Sequence, residues 1–230
     1  MSTETQTLNR VLTDFISHAD LVLFDFDGVV VRSEIIALRV LSETLAAHNI
    51  TLSVSEVRER FLGVSSKTVL NAMTEEHAHF DEASFVPDWE ARLNGELEQN
   101  LAAVSGITDV LHQLAESNLP YCIASSSTFS RLHMSLRVTG LTERFSNIFS
   151  AELVENGKPA PDLFLLAASE MGVSPDKCLV IEDSPKGVQG AKAAGMRALG
   201  FVGGGHLEGI EAQHTSALLD AGADAVINSY

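Results

Sequence analysis

The chain has 230 residues, a formal net charge of −16 at pH 7 and a sequence pI of about 4.7. This length allows one sizeable core, or a core with a small inserted domain. The acidity argues against nucleic acid and anionic membrane surfaces as partners. It would also repel a phosphorylated small molecule, so a phosphate site here requires a bound metal ion or a well-placed lysine.

The first elements along the chain are a helix and a buried strand. Leu8, Val11, Leu12, Phe15 and Ile16 recur at helical spacing. The run from Leu21 to Phe24 is apolar without alternation, which is typical of a strand covered on both faces in a parallel sheet. Further short apolar runs predict the other strands: 121–124, 147–149, 178–181, 197–202 and 225–227.

Residues 33–104 interrupt this pattern of strands. Four amphipathic helices are predicted there, around residues 35–45, 57–62, 69–73 and 89–101, with no convincing strand among them. A strand-free stretch of this length, inserted after the first strand, predicts a helical cap domain. The core domain would then comprise residues 1–32 and 105–230.

Helices with readable ends separate the later strands. They are predicted at 128–138, 163–171 and 187–194, where proline precedes the first turn of the last two and glycine follows each end. Strands that alternate with helices indicate an α/β, Rossmann-like fold with a parallel sheet.

Two carboxylates and a glycine follow directly on the first strand, as Asp25, Asp27 and Gly28. Ligands of open α/β sheets bind beyond the carboxyl ends of strands. Such a pair suits phosphoryl transfer, because one carboxylate can attack phosphorus while the other moves protons. On these residues alone, an ordinary polar turn remains the alternative.

A second acidic pair, Glu182 and Asp183, follows another predicted strand. Adjacent carboxylates beside a buried strand are costly unless a cation lies among them. Mg²⁺ is the natural partner, since it takes a few carboxylates together with substrate phosphate oxygens. The alternative is an acid pair at a helix N-terminus with Ser184 as N-cap, and both interpretations can hold together.

A lysine and a run of hydroxyl residues complete the set of candidates. Lys158 lies in a turn between prolines and could supply a point charge for phosphate, although a lone loop lysine is more often solvated. Ser125 and Ser126 follow a strand and are candidates for holding phosphate oxygens. We expect Ser127 or Thr128 to cap the next helix instead. All these residues would meet at one sheet edge.

Taken in their order along the chain, these motifs resemble those of the haloacid dehalogenase superfamily. The branch they resemble is that of phosphatases and β-phosphoglucomutase-like enzymes with a helical cap. The resemblance spans about residues 21–227. It implies that Asp25 is the nucleophile and binds Mg²⁺, and that Asp27 is the acid and base and offers its carbonyl to the metal. It further implies that Ser125 and Lys158 hold the phosphoryl group, while Asp183 and Glu182 complete the metal site.

Within this superfamily the chain is most similar to phosphatases acting on a small phosphorylated metabolite. Dehalogenases and phosphonate-cleaving members lack an acid at the position of Asp27. The mutases carry a cap histidine where this chain has Ala37, and an arginine where it has Ser66. A mutase therefore remains the second hypothesis, and a phosphate-binding module without catalysis the third.

The remaining predictions concern location, assembly and two basic residues. Residues 1–10 lack the features of a secretory signal, and no apolar run reaches the roughly 18 residues of a membrane span. Cys122 and Cys178 lie in apolar runs, which predicts buried thiols and a cytoplasmic protein. We expect a monomer. His206 is expected to be an exposed loop residue, and Lys67 a helix-surface lysine.

Overall fold

A computed structural model of the chain describes residues 3–230, with side chains from Arg10 onward. The helices are α1 Thr3–Ser17, α2 Ser33–Ala47, α3 Val54–Phe61, α4 Ser66–Glu76, α5 Glu82–Asn100, α6 Ile107–Glu116, α7 Phe129–Thr139, α8 Asp162–Glu170, α9 Pro185–Ala193 and α10 Glu211–Asp220. The strands are β1 Leu21–Phe24, β2 Tyr121–Ser125, β3 Ile148–Ser150, β4 Cys178–Glu182, β5 Arg197–Phe201 and β6 Ala225–Ile227.

The strands form one parallel sheet in the order β3-β2-β1-β4-β5-β6. This confirms the Rossmann-like α/β fold. The central strand β1 is completely buried, which explains its unbroken apolar sequence. Phe24 pairs with Ile123 on one side and with Ile181 on the other. Because this register aligns the ends of three strands, the residues after β1, β2 and β4 meet at one edge.

All six predicted strands are present, with ends that differ by at most one residue. β2 and β4 extend to Ser125 and Glu182, which pair with Ser150 and Gly200 of the neighbouring strands. Polar side chains concealed this continuation, since a strand can keep its backbone ladder while a polar side chain enters a site. β3 is shifted by one residue, and β5 ends at Phe201. Helices α6 and α10 were not predicted.

By their internal contacts the described residues form two compact units, one from Ser33 to Leu101 and the other from the described residues before and after it. The inserted unit contains helices α2–α5, and it has its own hydrophobic core that includes Leu45, Val57, Met73 and Phe85. The sequence prediction placed the end of this insert at residue 104. In the structure, Ala103 pairs with Val31 and the Val104 N–H donates to the Val30 carbonyl, so these residues belong with the sheet unit.

Both cysteines are buried and free, as predicted. Burial raises the pKa of each thiol, that of Cys178 to about 11, so neither is a reactive thiolate at neutral pH. None of the helices within residues 3–230 has the length and hydropathy that a bilayer span requires.

Candidate active site

The loop after β1 presents two carboxylates at the sheet edge. The Asp25 N–H donates to the Ile181 carbonyl of β4 at 2.9 Å, which fixes the start of the loop. The loop then folds back tightly, because the Gly28 N–H donates to the Val31 carbonyl at 2.8 Å. Gly28 has a φ of 82°, and a Cβ there would lie 2.0 Å from Asp183 Oδ2. Only glycine satisfies both the backbone conformation and this close approach.

Lys158 enters the same site as a buried cation. Its side chain is 5% exposed, and Nζ donates to Asp25 Oδ1 at 2.5 Å and to Glu182 Oε1 at 2.7 Å. Burial opposes the charge, but the carboxylates of Asp25 and Glu182 outweigh it, so the pKa of Lys158 is raised above its ordinary value. The alternative of a solvated loop lysine is therefore wrong.

Both oxygens of Glu182 accept hydrogen bonds, Oε1 from Lys158 and Oε2 from its neighbour in the chain, Ser184. Glu182 is completely buried, and its Oε2 accepts hydrogen bonds from the Ser184 N–H at 2.8 Å and the Ser184 hydroxyl at 2.9 Å. A Cβ on Gly187 would overlap the Glu182 carboxylate, so the glycine leaves room for it. Ser184 also caps α9 by accepting from the Gly187 N–H at 3.0 Å. The capping interpretation is confirmed beside the acid cluster.

Asp25, Glu182 and Asp183 form a buried group whose ligand oxygens lie within 4.8 Å of one another. Burial raises the pKa of Asp25 and of Asp183 well above the ordinary range, and the neighbouring carboxylates add to this. When all three carboxyls are ionised, their charge exceeds that of the lysine ammonium by two. Oxygen ligands and this excess charge fit a hard divalent cation such as Mg²⁺.

Asp27 is held from the start of helix α7. Its Oδ2 accepts a hydrogen bond from the Ser127 hydroxyl at 2.5 Å, and its Oδ1 lies 3.5 Å from Arg131 Nη2. Of the two residues predicted as caps, Ser127 is not the one, because its hydroxyl is directed to Asp27. Thr128 is the N-cap and accepts from the Arg131 N–H. Arg131 was missed, although it lies one turn into the helix that follows the serine run.

Ser125, the last residue of β2, and Ser126, which follows it, differ in their environment. Ser125 is buried, and its Oγ accepts the Ser127 N–H at 3.0 Å, so it lies beside the residues that hold Asp27. Ser126 is exposed, and none of the hydrogen bonds found among the described residues joins it to the cluster. A phosphate-binding role for either serine remains a prediction.

One histidine was placed wrongly by the sequence analysis. His206 was expected on an exposed loop, but its side chain is 3% exposed and its Nε2 lies 3.2 Å from Asp183 Oδ2. The signal was available, because the glycine run before His206 follows a strand that ends at the same sheet edge. Lys67 is exposed on α4, as predicted.

Replacement of Lys158 is expected to destabilise the fold. Lys158→Ala leaves the buried carboxylates of Asp25 and Glu182 without their ammonium partner, a change that costs about 3–5 kcal/mol in comparable buried pairs. Denaturant unfolding measures the free energy, with Lys177→Ala as the matched control because Lys177 is exposed. A loss no larger than that of the control would show that Lys158 does not compensate the cluster.

Comparison with known proteins places this geometry in a family. Residues 22–201 match the family described as haloacid dehalogenase-like hydrolase. A probable pseudouridine-5'-phosphatase of Drosophila melanogaster is 31% identical over 88% of this chain and 89% of its own. The chain also matches 18% of the longer Protein SUPPRESSOR OF QUENCHING 1, chloroplastic, of Arabidopsis thaliana, at 31% identity over 82% of this chain.

Solved structures of haloacid dehalogenase-like proteins are also similar to this chain. A conserved haloacid dehalogenase-like protein of Agrobacterium tumefaciens is 40% identical, with a TM-score of 0.81 over 92% of this chain and 94% of that one. A family hydrolase of Deinococcus radiodurans, solved with bound phosphate and sodium, is 35% identical, with a TM-score of 0.79 and 92% of both chains covered. A Thermotoga maritima protein provisionally named a β-phosphoglucomutase is 26% identical, with a TM-score of 0.75 over 90% and 93%. The chain belongs to the haloacid dehalogenase-like hydrolases.

Proposed function

We propose that this chain is a Mg²⁺-dependent phosphohydrolase that cleaves a small phosphorylated metabolite, a sugar or sugar-acid phosphate, through an aspartyl phosphate on Asp25. The observation that carries the proposal is the buried contact of Lys158 with Asp25 and Glu182, with Asp27 two residues beyond the nucleophile. The Drosophila relative named a phosphatase, and the phosphate bound in the Deinococcus hydrolase, support it.

Each residue has a role that follows from its position. Asp25 is the nucleophile, at the end of the central strand. Lys158 and Ser125 hold the transferring phosphoryl group, with Ser126 as a further candidate. Asp25, Asp183 and Glu182, with the Asp27 carbonyl, are the candidate Mg²⁺ ligands. Both Glu182 oxygens already accept hydrogen bonds from Lys158 and Ser184, so the main role of Glu182 is to orient the lysine.

The reaction has two displacements at phosphorus. In the first, an Asp25 carboxylate oxygen forms a bond to phosphorus, the bond from phosphorus to the ester oxygen breaks, and Asp27 gives that oxygen a proton. In the second, Asp27 takes a proton from water as the water attacks phosphorus, and the bond to Asp25 breaks. Bound Mg²⁺ would supply charge neutralisation, so that an anionic ester can approach the carboxylates.

The first experiment is phosphate release from a panel of phosphorylated metabolites, with Mg²⁺ and with chelator. We expect release from one class of compound, and we expect chelator to abolish it. An activated aryl phosphate serves as a positive control for the chemistry. Release that is unchanged by chelator would contradict the metal dependence.

Mg²⁺ is also expected to stabilise the fold in a pH-dependent way. Because the pKa values of Asp25 and Asp183 are raised, the folded state keeps protons that the unfolded chain loses near pH 4. The metal-free fold therefore loses stability as pH rises from about 4 through the folded pKa values. Thermal unfolding should show a larger Mg²⁺-induced increase at pH 7 than at pH 5. An equal increase at both pH values would contradict binding at these carboxylates.

A phosphosugar mutase is the second candidate, favoured by the likeness to the Thermotoga protein. Ala37 and Ser66 stand where the mutases resembled by this chain carry a histidine and an arginine. A mutase would release little phosphate and would convert one sugar monophosphate to its isomer when a bisphosphate activator is added. Ligand binding without either activity would instead indicate a binding module.

A further inference from the structure

Two histidines from the segment after β5 contact Asp183, one at its carboxylate and one at its backbone carbonyl. His206 Nε2 lies 3.2 Å from its carboxylate oxygen Oδ2, and His214 Nε2 lies 2.6 Å from its backbone carbonyl oxygen. His214 is on α10, and His206 is in the loop before that helix. One segment of the chain therefore fixes both the main chain and the side chain of a candidate metal ligand.

Glycines enclose the His206 ring. A Cβ on Gly28 would lie 2.8 Å from His206 Cε1, and a Cβ on Gly204 would lie 2.9 Å from the same atom. Both contacts are closer than side-chain carbons approach, so the ring fits only because these residues lack a Cβ. The imidazole is 3% exposed and its position is determined by packing. Gly204, in the glycine run before His206, therefore makes room for the imidazole.

Chemistry fixes which imidazole nitrogens carry a hydrogen at the His214 hydrogen bond and at the 3.2 Å contact of His206 with Asp183. A carbonyl oxygen only accepts, so the His214 Nε2 must carry the hydrogen. A carboxylate that binds a cation is ionised and also only accepts, so His206 must donate from Nε2 to Asp183 Oδ2. That contact leaves the remaining lone pairs of the Asp183 carboxylate for the ion. Hydrogen bonds of this kind to metal ligands commonly fix their orientation.

We infer that His206 is a positioning residue that orients the Asp183 carboxylate for Mg²⁺, with His214 fixing the backbone of the same residue. The inference rests on the proposed function, since it takes Asp183 as a metal ligand. It adds a loop and a helix beyond β5 to the residues on which the metal site depends. Neither histidine needs to contact the substrate.

Two amide variants separate positioning from packing. A glutamine side chain can place its amide nitrogen where the imidazole Nε2 lies, whereas asparagine is one methylene too short to reach it. We expect His206→Asn to weaken Mg²⁺ binding about 10–100-fold, and His206→Gln to recover most of this loss. Binding is measured by titration calorimetry and by the Mg²⁺-dependent increase in unfolding temperature, which need no turnover. His112→Asn is the control, because His112 is an exposed histidine on α6.

Kinetics provide a second readout. The Mg²⁺ concentration for half-maximal activity should rise in His206→Asn, while the substrate KM and the rate at saturating Mg²⁺ change little. The inference is overturned if both variants bind Mg²⁺ as the wild type does, or if both lose it equally, because packing alone would then explain His206. If the wild-type protein itself binds no Mg²⁺, the proposed metal dependence is wrong. That result is distinct from the two outcomes that overturn the role of His206.

Discussion

Asp25→Asn is expected to lower the rate of phosphate release on the order of 10⁴-fold or more, because an amide cannot form the aspartyl phosphate. The loss should be the same for sugar phosphates and for an activated aryl phosphate, since both depend on the same nucleophile. Initial rates of phosphate release with saturating Mg²⁺ measure it.

The control for this variant is a measurement of its unfolding temperature, which shows whether it is folded. Burial and neighbouring carboxylates raise the pKa of Asp25, so its charged form is disfavoured in the metal-free fold. Replacing it with a neutral amide of the same size is therefore expected to leave the metal-free unfolding temperature unchanged or higher. A folded Asp25→Asn protein with the wild-type rate would disprove the covalent mechanism.

Asp27→Asn is expected to separate the two kinds of substrate. Loss of a general acid typically costs 10²–10⁴-fold, and we expect about that loss on sugar phosphates, whose leaving alkoxide needs a proton. The leaving group of an activated aryl phosphate is a stable aryl oxide anion that needs no proton, so attack on this ester should be much less affected. The comparison is the ratio of kcat/KM values for the two esters in variant and wild type.

Asp25→Asn is the control for Asp27→Asn, because it should lower the rates on the sugar phosphate and on the aryl phosphate by the same factor. Asparagine can keep both contacts of Asp27 if its amide oxygen faces Arg131 and its amide nitrogen donates to the Ser127 hydroxyl, so its position should be kept. Equal losses on both esters would show that Asp27 is not the proton donor.

The core of this site could be predicted because its determinants are local. The apolar run before Asp25 fixes a buried strand, and the acids after β1 and β4 reach one edge through the register of Phe24 with Ile181. The glycine at position 28 could be assigned a sharp turn from the sequence. Its second role, leaving space for Asp183, depends on a distant strand and is visible only in three dimensions.

What the sequence left open, together with the one wrong placement, that of His206, concerns residues whose role depends on long-range packing. Ser127 and Thr128 are equivalent as helix caps in sequence, and the contact of Ser127 with Asp27 decides between them. His206 has the composition of an exposed loop around it, yet the glycines that suggest exposure are what allow burial. Lys158 is one lysine in a turn, and only the fold shows its buried partners.

The measurement that tests the central proposal most directly is the intact mass of the protein after acid quench during turnover, followed by mapping of the modified peptide. Asp27→Asn should prolong the intermediate formed from an aryl phosphate, because its formation from that ester needs little acid catalysis while its hydrolysis lacks the base. The proposal predicts one added phosphoryl group, dependent on Mg²⁺, located on Asp25 and absent from Asp25→Asn. Phosphate release by an enzyme that never carries a phosphoryl group on Asp25 would contradict it.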